Sequence, residues 1–180
     1  MVATFVNYAG MAQLAEEPNS ELPAIMAGNK SNFYVPANVL KLHKLQPAKG
    51  DSWMKVYNAT TEVKNAIVRL NDIRWQAANA NEAGVWVLNN FGMLSENGEA
   101  ITNEIEKPTG VDVWSAFGMG KKAKELNDAF GIAFTTYNFI FSVDKYVGKI
   151  FISGNAAMTV NEAFAIAKTG INATIAASKK

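Results

Sequence analysis

A chain of 180 residues with a net charge of +1 is long enough to bury a core, and it has no overall electrostatic pull toward nucleic acid, membrane surfaces or acidic substrates. Cysteine is absent and His43 is the only histidine. That excludes disulfides, thiol nucleophiles, thiolate metal sites and any centre that needs two imidazoles from one chain.

Charged residues make up 18% of the chain where about 25% is usual, and 27 Ala and 19 Asn stand in their place. Such a balance fits an interface, whose core is depleted in charge, better than the surface of a solvated monomer. A compositional bias of the source lineage would give the same numbers. The N-terminal stretch MVATFVNYAGMAQLAEEP has neither the basic start nor the unbroken apolar run of a signal peptide. Nowhere do 18 apolar residues run together. The expected location is therefore a virion or the cytoplasm, with no membrane partner.

In chain order, Phe5, Ala9 and Ala12 share one face of a short helix that Glu17-Pro18 ends. From 18 to 35 the Pro, Asn, Ser and Gly content reads as a long loop or an extended arm. Pro36 to Gln46 is read as a helix opened by Pro36, with a strand as the alternative because Leu40 and Leu42 alternate with Lys41 and His43. His43 has no neighbour that would make it a catalytic dyad. Trp53, Val56, Thr60, Val63, Ile67 and Leu70 then recur in steps of three and four, which predicts one long helix from about 51 to 78. The next position on that seam is Arg74, beside Trp75, so a guanidinium next to an aromatic becomes a candidate for binding a phosphate or carboxylate.

AANANE over 77–82 is a break, followed by a second helix or strand and an Asn97-Gly98 turn. The stretch 85–105 has loosely the layout of a winged helix. VDVWSAFG reads as a strand or turn feeding a helix with surface pairs Lys121–Glu125 and Lys124–Asp128. Region 132–152 is read as a β-hairpin turning at Asp144-Lys145, since Tyr137, Phe139, Phe141 and Val143 alternate. A buried helix fits the phases of Phe130, Ala133, Tyr137 and Ile140 nearly as well. Thr159 with Glu162 forms a capping box that opens a C-terminal helix whose apolar seam is Val160, Phe164, Ala167, Ile171 and Ile175.

Three apparent motifs fail on their own chemistry. Gly118, Gly120 and Ala123 match only the loosest dinucleotide pattern, late in the chain, and Lys122 stands where a P-loop needs Ser or Thr. AIAKTGINATIAASKK suggests a helix-turn-helix, but Ile175 falls five residues after Gly170 rather than six, which favours one uninterrupted helix. Glu104 with Glu106 has no apolar surroundings to raise a pKa for acid–base work, and no Gly-x-Ser-x-Gly elbow presents a serine.

The sequence reading is a single α+β domain over 1–180, dominated by helices, with a hairpin at 132–152. No catalytic, cofactor-binding or metal-binding residue and no cofactor is expected. The expected role is a non-enzymatic structural subunit that self-assembles as a homo-oligomer, of virion or filament type. The alternative is a nucleic-acid-binding protein using Arg74, Lys121, Lys122 and Lys124 with the winged-helix-like segment.

Overall fold

A computed structural model describes residues 31–48, 54–59, 67–95, 99–102, 104–118, 134–155 and 158–180. A 3-10 turn at Ser31–Phe33 leads into α1 (Ala37–Leu42) and β1 (Leu45–Pro47). Then come β2 (Met54–Ala59), β3 (Ile67–Gln76), α2 (Ala80–Ser95), β4 (Glu99–Ala100) and β5 (Val113–Gly118). β6 (Phe134–Val143), β7 (Tyr146–Asn155) and α3 (Val160–Ser178) complete the order. The strands form one antiparallel sheet in the order β1-β2-β3-β7-β6-β5-β4.

This overturns the helix-dominated fold class: strand exceeds helix among the described residues, 41% against 35%. Within the central helix expected over 51–78, residues 54–59 and 67–76 are instead the strands β2 and β3, paired from Met54↔Ile73 to Asn58↔Arg69. The reason lies in burial. β3 is covered on both faces, so Leu70 to Trp75 are all buried and the alternation that marks a half-exposed strand is erased. Of the expected helical seam, Val56 lies in β2 and Ile67 and Leu70 lie in β3, while Trp53, Thr60 and Val63 lie outside the described residues.

Each sheet face carries one long helix. On one face Leu70, Phe139, Phe141, Ile150 and Ile152 pack against Ala163, Ile166, Ala167 and Ile171 of α3. On the other, Ile73, Trp75, Ile140 and Val147 pack against Ala83 and Val87 of α2. Trp75 and Trp86 meet there with ring centroids 4.5 Å apart. Fully burying each large aliphatic side chain contributes roughly 1.5–3 kcal/mol, so these two layers are the main stabilising term.

The hairpin over 132–152 is formed by β6 and β7, which pair from Phe134↔Asn155 to Val143↔Tyr146 around Asp144 and Lys145. Asp144 takes φ of 50°, a left-handed conformation that Asp tolerates better than most residues. Its backbone N–H donates to Asp112 Oδ2 at 2.7 Å, which ties the turn to the start of β5.

The segment read as a helix over 36–46 is divided. α1 ends at Leu42, Lys44 takes φ of 54°, and the chain leaves as edge strand β1. AANANE is the entry to α2, where Asn79 Oδ1 accepts the Glu82 N–H at 3.0 Å and Glu82 Oε2 accepts the Ala78 N–H at 3.2 Å. Residues 85–105 therefore run from α2 into β4, which joins the sheet edge beside β5. The helix expected near 4–17, most of the arm at 18–35, the Asn97-Gly98 turn and the helix after Gly120 lie outside the described residues.

α3 is one uninterrupted helix of 19 residues. Its buried stripe is Ala163, Ile166, Ala167, Gly170, Ile171 and Thr174, so the expected seam residues Phe164 and Ile175 flank it. The capping box is complete: Thr159 Oγ1 accepts the Glu162 N–H at 3.3 Å and Glu162 Oε2 accepts the Thr159 N–H at 2.8 Å. Those bonds hold the Glu162 carboxyl below its ordinary value. Thr159→Ala is expected to destabilise the fold by about 1 kcal/mol, read as a lower urea midpoint with an unchanged slope.

Candidate functional site

Asp72 and Arg74 are two residues apart in β3. On a strand that spacing puts both on one face, here the face beneath α3. Both are fully buried, and Arg74 Nη1 donates to Asp72 Oδ1. Nη1 also donates to the Ile73 carbonyl at 2.7 Å, while Nε points at Phe33 O at 3.1 Å and at Thr174 Oγ1 at 3.0 Å. The Thr174 hydroxyl lies within donating distance of Phe33 O at 2.9 Å and Gly170 O at 3.0 Å. Asp72 Oδ2 accepts the Val35 N–H at 2.6 Å. One ion pair therefore joins β3, helix α3 and the segment Phe33–Val35.

Room for the guanidinium comes from two glycines. Gly148 is the β7 partner of Arg74 on one side and of Phe141 on the other. A Cβ at Gly148 would meet Phe141 Cζ at 2.1 Å, and one at Gly170 would meet Arg74 Nη2 at 3.1 Å. Missing side chains below and above leave a slot in which Arg74 Cζ sits 5.0 Å from the Phe141 ring and 5.5 Å from that of Tyr34. Nη2 is buried in that slot with no hydrogen-bond partner.

Electrostatics follow from the burial. Burial pushes the Asp72 carboxyl upward, against the pull of Arg74, the Val35 N–H and Lys55. Tyr34 and Tyr57 are pushed up to about 12, by burial first, with the Asp72 charge adding to the rise. Lys55 stands opposite Asp72 in the β2–β3 register, and its Nζ lies 4.3 Å over the Tyr34 ring. This cluster holds and fixes. Its carboxylate is already committed to a cation and a backbone donor, so it presents no group ready for proton transfer.

Beside it, Tyr57 reaches from β2 into a shallow recess of about 460 Å³ between α1 and β1. Leu40, Leu45 and Pro47 make its apolar lining, and Lys41 and Lys44 supply positive charge. Leu42, at the end of α1, is 76% exposed nearby. On the opposite sheet face, Asn71, Asn138 and Lys149 are buried, and Arg69 Nε donates to Asn71 Oδ1 at 3.0 Å.

Of the four candidate nucleic-acid contacts, Arg74 lies at zero exposure inside the slot, facing Asp72 and Thr174 rather than solvent. Lys121, Lys122 and Lys124 lie outside the described residues. His43 is half-buried at the end of α1, and burial lowers its pKa. Glu104 and Glu106 are exposed in the loop before β5. Among the described residues, no group of three or more His, Asp or Glu could hold a metal ion. Likewise no described helix is long and apolar enough to cross a membrane.

The sequence reading missed Asp72 because it placed 51–78 on a helix, where positions two apart point to different sides. Opposite charges at i and i+2, Asp72 with Arg74, were the available signal, and only a strand makes them neighbours. Thr174 and Phe33, 100 and 41 residues from Arg74, carry no local signal at all.

No protein-family model matches this chain, and neither does any curated protein. Among solved structures, the extracellular domain of PknH from Mycobacterium tuberculosis aligns over 97% of this chain and 93% of its own length. The identity is 8% and the TM-score 0.46, a likeness too slight to define a shared fold or activity.

Proposed function

We propose that this protein is a non-enzymatic structural subunit that assembles with copies of itself, as in a virion or filament. The observation that carries the reading is the withdrawal of charge from a surface that has little to begin with. Of 17 basic and 16 acidic residues, Arg74, Asp72 and Lys149 are sealed inside at 0%, 0% and 1% exposure. Leu42, Val85 and Leu88 stand outside at 76%, 47% and 58%. A surface short of charge and bearing large aliphatics is suited to burial against another protein.

The sheet edges narrow the mode of assembly. β1 has three residues and ends in Pro47, and β4 has two, so both described edges offer little ladder for a neighbouring strand. Among the described residues, helix faces and the α1–β1 recess are the surfaces left for such contacts.

Size-exclusion chromatography with light scattering, read at 260 and 280 nm, tests the proposal. A large particle with a protein-like absorbance ratio is the expected result. A 19.5 kDa monomer at high concentration overturns it. Excess absorbance at 260 nm would replace it with a nucleic-acid-binding role, whose affinity must then fall with salt as counterions are released.

A further inference from the structure

We infer that the α1–β1 recess is a docking site for the acidic stretch 14–22 of a second copy of this chain, an inference that rests on the assembly reading above. The recess combines apolar lining from Leu40, Leu45, Pro47 and Tyr57 with the cations Lys41 and Lys44. Its occupant must therefore bring aliphatic side chains and carboxylates in one short segment. Burial lowers the pKa of His43, which sits between Leu42 and Lys44, so at neutral pH the positive charge of this surface comes from the two lysines.

The chain has two stretches rich in acid. One runs over 96–106, but Ile101 and Ile105 are 6% and 3% exposed, so its aliphatic residues are already spent in this protein's own core. The other is LAEEPNSEL over 14–22, with Leu14 and Leu22 as apolar ends, Glu16, Glu17 and Glu21 between them, and no cation. It lies outside the described residues. Three carboxylates match two lysines, two leucines match an apolar floor, and Pro18 lowers the entropy lost when the segment docks in extended form.

Residues 23–30 join this segment to Ser31, and the chain just after Ser31 is pinned by the Phe33 and Val35 bonds to Thr174, Arg74 and Asp72. In a self-assembling chain, the matching recess is then supplied by the neighbour, so each copy both offers and accepts the same interaction.

Charge exchange between copies tests this with the full chain. Lys41→Glu/Lys44→Glu and Glu16→Lys/Glu17→Lys are prepared separately, and circular dichroism and urea midpoints are used to establish that each is folded. Sedimentation velocity at about 50 mM salt, where exposed charges are least screened, reads association. Each double variant alone is expected to associate at least about tenfold more weakly than the wild type, and an equimolar mixture of the two is expected to regain association. Unchanged association in both double variants would sink the inference while leaving the assembly reading in place. So would recovery only when all four changes share one chain, because the contact would then be internal to a single copy. A wild-type monomer would remove the assembly reading itself, and this inference with it.

Discussion

Arg74→Met is expected to destabilise the protein by about 3–5 kcal/mol, because it strands the Asp72 carboxylate in the core without its counter-charge. The pH dependence identifies the cause. Burial already lifts the Asp72 carboxyl, and Arg74 is the largest influence holding it down. Without Arg74 the folded-state pKa rises further above the unfolded value of roughly 3.9. The folded variant then holds more protons than the unfolded chain, so its stability is greatest in acid and declines as pH rises from about 4 toward the folded pKa. The double variant Asp72→Leu/Arg74→Met removes both charges and is expected to recover most of the loss, since a well-packed apolar pair often equals a buried ion pair. Urea titrations of the three proteins at several pH values read the outcome. A loss under about 1 kcal/mol for Arg74→Met would show that the ion pair does not hold the Phe33–Val35 segment.

Gly148→Ala is expected to be at least as damaging as an ordinary overpacked core substitution, about 3 kcal/mol or more. The added methyl would lie 2.1, 2.4 and 2.8 Å from three atoms of the Phe141 ring. That ring is fully buried and packs over the guanidinium of Arg74, so it cannot turn away without disturbing the slot. Gly118→Ala supplies the control: its methyl would meet Tyr137 and Ile101 no closer than 3.4 Å, an ordinary contact, and the cost should stay under about 1 kcal/mol. Thermal unfolding of both variants decides it. Equal losses at the two positions would mean that the close passage of Phe141 over Gly148 is not what the glycine provides.

Both predictions concern one slot, and together they show how the fold builds it. Gly148 lowers the sheet surface, Gly170 lowers the helix surface, and the space between admits a guanidinium that neither element could hold alone. Thr174 and the Phe33 carbonyl then receive its Nε. The result is a joint between the start of the described chain and its final helix. Tyr57, whose pKa is raised by burial and by the Asp72 charge of that joint, also lines the recess between α1 and β1.

Those parts of the fold that depend on neighbouring residues were legible in the sequence. Thr159 and Glu162 reach each other across one helical turn, so the capping box and the long C-terminal helix could be read directly. Alternating aromatics and a short polar turn gave the β6–β7 hairpin, because residues 137 to 143 put Tyr, Phe, Phe and Val on one face. The depletion of charge was likewise a property of composition. Only the tertiary structure decided the rest. A strand buried on both faces has no reason to alternate, so β3 gave no period-two signal between α2 and α3, and Val56, Ile67 and Leu70, which shared a helical spacing, belong to two different strands. Once the chain is a sheet, Asp72 and Arg74 become neighbours, and contacts 41 and 100 residues distant complete their shell. Bonds of that range leave no periodicity in a sequence, because their partners are brought together by packing rather than by spacing along the chain.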